Sequence, residues 1–164
     1  MLPTRGSLNV FRALFLAMLL TVPLAAAPNF SGSWILNTAK SDYGQFPAPE
    51  VMTRSIRHND PALSISTYQK GAQGELTTDL TFTTDGKPAV NGPNQGFAHW
   101  EGNRLIIETS RDYQGTKLTQ REEWSLSVDR KTLNIATHVK LPNGEFDVKQ
   151  VLEKAPAPAG GKAR

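Results

Sequence analysis

Residues 116–139 read TKLTQREEWSLSVDRKTLNIATHV, two runs of strict alternation joined by a polar turn, and that pattern commits them to an antiparallel hairpin. Successive side chains of a strand take opposite faces, so Leu118, Gln120, Glu122, Trp124 and Leu126 share one face. The wholly polar set Lys117, Thr119, Arg121, Glu123, Ser125 and Ser127 takes the other. Asp129, Arg130 and Lys131 turn the chain, after which Leu133, Ile135, Thr137 and Val139 face inward. The apolar face must be buried, yet Gln120 and Glu122 sit mid-strand on it. Polar residues on an inward face are the strongest functional signal in the chain, and they point to a lined cavity.

The same rule organises the rest. Residues 30–36 form a first strand with Trp34 and Leu36 on one face. Residues 37–50 hold Gly44, Pro47 and Pro49 and show neither helical nor strand periodicity, so they make a long loop. Within it Tyr43 and Phe46 are either satellites of the core or part of a lid over an opening. In residues 51–59 Met52, Arg54, Ile56 and His58 face inward, which places a charge on that face. Asn59-Asp60-Pro61 and Asp85-Gly86-Lys87-Pro88 are turns, and residues 89–96 hold at most a short irregular strand.

Three strands repeat one phrase: Leu63-x-Ile65-x-Thr67, Leu105-x-Ile107-x-Thr109 and Leu133-x-Ile135-x-Thr137. Their spacing is unequal, which makes a meander of hairpins rather than a solenoid. Phe146, Val148, Gln150 and Leu152 give the last inward face. Nine or ten short strands with one apolar face and no helix-length period define an all-β chain. An antiparallel up-and-down β-barrel of about 8–10 strands buries that face without leaving edges.

Residues 1–27 stand apart. They carry Arg5 and Arg12, an apolar run and then a small-residue segment ending Ala25-Ala26-Ala27, the pattern of a secretory signal peptide. The run is short for a bilayer span, so removal is favoured over a retained anchor. The folded domain is then residues 28–154, and residues 155–164, built of Pro, Ala, Gly and basic residues, are expected to be a disordered tail. Of the 18 basic and 15 acidic groups, Arg5 and Arg12 leave with the signal and no acid does, so the net charge is about +1. Such a balance, with no basic stripe, carries no nucleic-acid footprint. There is no cysteine, hence no disulfide and no thiolate metal site, and stability must come from the core.

Arg54, Thr67, Thr109, Gln120, Glu122, Thr137 and Gln150 are thus inward and polar on six strands. Burying an unpaired charge costs several kcal/mol, so Arg54 and Glu122 need a partner, water or a ligand. Either they anchor the polar end of a ligand beneath an apolar cavity, or they form a structural ion pair in a filled barrel, or a bulge turns them outward. Trp34, Trp100 and Trp124 supply most of the large aromatic surface, as core plugs or as a stacking platform, and Trp100 and Trp124 are counted with the ligand-lining set. His58, His99 and His138 make no metal-ligand spacing, and no nucleophile elbow, phosphate loop or dinucleotide fingerprint is present. No catalytic residue, cofactor or metal is assigned.

Gly32-x-Trp34 at the head of the chain, a later inward tryptophan and the meander of about nine strands resemble the calycin superfamily, the lipocalins and their relatives. The wider wording, Phe30-Ser31-Gly32-Ser33-Trp34 through Lys40-Ser41-Asp42-Tyr43-Gly44 and then Trp124-x-Leu126-Ser127-x-Asp129, is similar to a group of exported bacterial lipocalin-like proteins, a likeness that implies a fold but no activity. The resemblance implies a barrel open at one end, holding a small apolar ligand, with Trp34 plugging the closed end. This chain departs from it in having no amphipathic helix after the last strand and no helical pair after the first.

The expectation is an exported protein, periplasmic or secreted, whose barrel binds a small apolar or amphiphilic molecule with a polar end. Two alternatives stay open: a barrel enzyme using Glu122 and Arg54 for acid–base chemistry, and a filled barrel acting as a protein-interaction or inhibitor module.

Overall fold

The computed structural model describes residues 27–72, 74–113 and 115–156. Ten strands follow one another: β1 Gly32–Leu36, β2 Val51–Asn59, β3 Ala62–Gly71, β4 Gly74–Thr83, β5 Ala89–Asn91, β6 Asn94–Glu101, β7 Arg104–Tyr113, β8 Thr116–Leu126, β9 Thr132–Leu141 and β10 Gly144–Lys154. Every pairing is antiparallel, in the order β4-β3-β2-β1-β10-β9-β8-β7-β6-β5. The chain is therefore an all-β, up-and-down, nearly closed barrel of the lipocalin-like kind. Among the described residues no helix is long and apolar enough to cross a membrane.

Short connections enforce the meander. The β8–β9 hairpin pairs Glu122 with Thr137 and Trp124 with Ile135, as the alternation requires. The β6–β7 turn places Gly102 at φ +63°, which costs a glycine little. Closure between β4 and β5 uses a side chain in place of a strand. Asn91 Oδ1 accepts from Thr81 N at 2.7 Å and its Nδ2 donates to Thr81 O at 3.0 Å, satisfying the edge as a backbone would. Further along the seam Gly86 N donates to Ala98 O at 2.8 Å.

Three boundaries differ from the sequence reading. The first strand begins at Gly32, and Phe30 leaves it to fold into the barrel floor. Residues 37–50 contain a 3-10 turn, Thr38–Lys40, capped by Asn37, whose side chain accepts from Lys40 N. That segment also pairs with β10 through reciprocal Asp42–Lys149 backbone bonds of 2.8 Å. Strand β6 starts at Asn94, and only β5, three residues long, is the short strand expected over 89–96. The signal-peptide reading of residues 1–27 lies outside the described residues apart from Ala27, as does the tail reading from residue 157 onward. Ala155, assigned to the tail, still donates its N–H to Ser33 O at 2.8 Å.

The barrel has unlike ends. At one, Phe30 stacks on His58 and Trp100 with centroids 5.9 Å away in each case, and meets Trp124 edge-on at 5.6 Å. Trp34, fully buried, donates Nε1–H to Phe30 O at 2.9 Å and completes the floor. Along β4 the inward row runs Phe82, Leu80, Thr78, Leu76; exposure climbs from 5% at Phe82 to 54% at Leu76. An inward leucine that is half exposed marks an open mouth. Elsewhere on the rim the inward residues are covered: Met52 on β2, in register with Leu76 through Gln69, and Val139 on β9 are both buried.

One outward residue is also sealed. Ile106 has no exposed surface, lying between His99 and Glu123 beneath ion pairs Arg104–Glu123 at 2.6 Å and Arg121–Glu101 at 3.0 Å.

Candidate functional site

The site is a polar layer across the middle of the barrel. Arg54 from β2 and Glu122 from β8 reach towards each other over the interior, and Arg54 Nη1 donates to Glu122 Oε2 at 3.1 Å. Their side chains are 8% and 12% exposed, so the pair is effectively inside the protein. Two further donors hold the carboxylate. Gln120 Nε2 reaches Oε1 at 2.7 Å, and Trp124 Nε1 reaches Oε2 at 2.7 Å. The Arg54 guanidinium carbon lies 5.2 Å from the centre of the Trp124 ring, within cation–π range.

These contacts explain how a charge survives on the core face. Desolvation of each ion is offset only if hydrogen bonds saturate it, and Glu122 accepts three. Arg54 is less complete: its Nε is buried without a partner. A carboxylate whose two oxygens receive three donors is held as a fixed acceptor. His58, the buried inward histidine of β2, sits towards the floor. There it takes the Phe30 N–H on Nδ1 at 3.3 Å and lies 3.5 Å from Asp60 through Nε2.

Beside the ion pair lies a chamber of about 30 Å³, lined by Arg54, Ile65, Thr67, Leu80, Ile107, Thr109, Gln120 and Glu122. Its walls come from the repeated phrase. Ile65 and Thr67 on β3 face Ile107 and Thr109 on β7, so two copies of Leu-x-Ile-x-Thr place their leucines at the floor and their threonines at the polar layer. The third copy, on β9, sets buried Thr137 across from Glu122 and Ile135 across from Trp124.

Five residues expected at a ligand surface, Arg54, Thr67, Thr109, Gln120 and Glu122, thus converge on one chamber. Four do not line it. Thr137 is packed behind Glu122, and Trp124 is its buried hydrogen-bond donor. Trp100 is at the opposite end, because its Nε1–H bonds Asp60 Oδ1 at 3.1 Å and its ring stacks on Phe30. Gln150 faces in but turns to the roof, where Nε2 donates to Tyr43 Oη at 3.0 Å while its Oε1 is buried without a partner. The chamber's apolar walls, Ile65, Leu80 and Ile107, were legible only as core.

The roof is the 37–50 segment. Tyr43 Oη lies 4.0 Å from Met52 Sδ, and Phe46 packs on Phe146 with centroids 4.3 Å apart. Burial pushes the Tyr43 phenol above its ordinary pKa, with the Gln150 bond and the Arg54 charge pulling the other way. Tyr43 and Phe46 therefore cover the β2–β10 half of the mouth, and the β3–β4 half is left open above the chamber.

No protein-family model matches the chain, and no curated protein matches it in sequence. Solved structures match it in shape. Zebrafish ileal bile acid-binding protein complexed with cholic acid gives a TM-score of 0.53 at 14% identity, over 77% of this chain and 98% of that one. Apo Caenorhabditis elegans lipid binding protein 8 gives 0.53 at 12%, over 77% and 95%. A heat soluble (SAHS) protein from Ramazzottius varieornatus gives 0.52 at 11%, over 76% and 94%. The likeness is one of fold. Within that fold, β1 and β2 are joined here by a single 3-10 turn and an extended segment strapped to β10.

Proposed function

We propose that this protein is an exported carrier that holds a small, mostly apolar molecule by a polar end in its barrel. The observation that carries this reading is the chamber at the Arg54–Glu122 layer, lying beneath an open half of the mouth. Its volume of about 30 Å³ suits a head group, against the several hundred Å³ of a typical ligand pocket, so the apolar body runs upward past Thr78, Leu118 and Leu76 to the rim. Barrels of the same fold that are named for bile acid and lipid binding support the class of ligand. Residues 1–27, read as a signal peptide, support export.

The test is a titration of the purified protein with a panel of amphiphiles, followed by calorimetry and repeated on Thr109→Leu. Leucine there fills the chamber without adding charge. One-to-one binding that the variant loses, with its melting temperature kept, is the expected result; binding that the variant retains in full would place the ligand elsewhere.

A second reading has its own observation. On the outer face a groove of about 430 Å³ runs over β6–β9, with Phe97, Ser110 and Thr119 in its bed and Lys117 and Lys140 on its flank. The chamber is small, so a packed barrel that recognises a partner through this groove is the alternative. Lys117→Glu/Lys140→Glu would then abolish partner capture, whereas amphiphile binding would be unaffected.

A further inference from the structure

We infer that the barrel selects an uncharged amphiphile, one with a hydroxyl or carbonyl head, over the matching carboxylate or amine; this rests on the chamber reading above. The chamber walls hold one cation and one anion, Arg54 and Glu122, already bonded to each other at 3.1 Å. The remaining lining residues are Ile65, Thr67, Leu80, Ile107, Thr109 and Gln120, none of them ionisable. The layer is therefore neutral as a whole.

A carboxylate head entering it meets Arg54 and Glu122 together. Attraction to one is largely cancelled by repulsion from the other, and the loss of water around the head is left uncompensated. An ammonium head fares no better, because both Glu122 oxygens are already accepting and Arg54 repels it. Nearby groups do not restore a net charge. Tyr43 is a phenol whose pKa burial raises, so it is neutral at physiological pH. Arg111, the next inward position on β7 towards the mouth, is exposed at the rim, where water and salt screen its charge from the chamber.

What the chamber leaves unfilled suits a neutral head. Arg54 Nε is a buried donor with no partner, and the hydroxyls of Thr67 and Thr109 can each donate or accept. A hydroxyl head accepts from the first and exchanges a bond with a threonine. Its desolvation is far smaller than that of an ion.

The experiment compares dodecan-1-ol, dodecanoate and dodecylamine on the full chain at neutral pH by competitive displacement. The alcohol is expected to bind at least about tenfold more tightly than either ion. Glu122→Gln leaves the Arg54 charge uncompensated, and dodecanoate should then gain at least about tenfold on the alcohol. If that variant does not fold, the wild-type ratio decides alone, together with a rise in the acid's affinity as pH falls and the ligand protonates. Dodecanoate binding as tightly as the alcohol to the wild type would overturn the head-group inference and leave a ligand-binding barrel standing. No binding of any of the three would overturn both.

Discussion

Trp124 donates its indole N–H to Glu122 Oε2 at 2.7 Å, two positions along the same strand and on the same face. The bond makes one of the two fully buried tryptophans a support for the only buried carboxylate among the described residues, and Arg54 lies against both.

Removing one member of this trio strands the others. Glu122→Leu leaves the Arg54 charge buried, and we expect a loss of about 3–5 kcal/mol; Arg54→Met/Glu122→Leu removes both charges and should recover most of it. Trp124→Phe keeps the ring but drops one donor, for about 1–3 kcal/mol. Urea unfolding of the wild type, Arg54→Met, Glu122→Leu and the double variant checks the cycle, and additive single losses would contradict a coupled pair.

The roof should be sensitive to alkali. Tyr43 holds its proton above the ordinary phenol pKa, so the folded state binds more protons than the unfolded state at pH above about 10. Stability is intact below that value and falls as pH rises through the folded pKa. Tyr43→Phe should flatten the alkaline limb of a melting-temperature profile and leave the neutral region little changed.

At the floor the sign is opposite. The Asp60 carboxyl is held below its usual value by hydrogen bonds from Thr84 and Trp100, so its contribution is present above pH ~3.9 and lost as pH falls through the depressed value. Trp100→Phe removes one of those donors and should move the acid unfolding midpoint upward. Phe30→Ala, which empties the centre of the aromatic floor, should cost about 3–5 kcal/mol in chemical denaturation at neutral pH.

At Gly96 on β6 the neighbouring strand β7 leaves no room for a side chain. A Cβ there would stand 2.1 Å from Glu108 O and 3.0 Å from Thr109 Cα, both backbone atoms that cannot yield cheaply. Gly96→Ala should therefore cost at least the ~1–3 kcal/mol typical of overpacking and should raise amide exchange across the β6–β7 ladder.

The sequence disclosed the faces but not the neighbours. Period-two alternation is set by the pleat, so Arg54, Gln120 and Glu122 could be assigned inward and the need for a partner deduced. Alternation does not say which residues meet across a barrel. The Arg54–Glu122 bond and the Asp60–Thr84–Trp100 cluster depend on side-chain reach between strands or turns far apart in the chain. Trp100 is an instance: alternation gives its inward face but not its position along the barrel axis, beside Phe30 and Asp60. Tyr43 and Phe46 lie in a loop with no period, and only the docking of that loop on β10 makes them a roof. Ile106 shows a further limit, since a salt-bridge lattice can seal an apolar residue on the outer face.

The three indoles give a direct measurement. Each N–H has a different acceptor: Phe30 O for Trp34, Asp60 for Trp100 and Glu122 for Trp124. In a 1H–15N spectrum of the labelled protein, assigned by single Trp→Phe changes, dodecan-1-ol should shift the Trp124 indole in a saturable way and leave those of Trp34 and Trp100 nearly still. Saturable binding with an unmoved Trp124 signal, or shifts confined to the outer-face amides of β6–β9, would contradict a ligand seated at the Arg54–Glu122 layer.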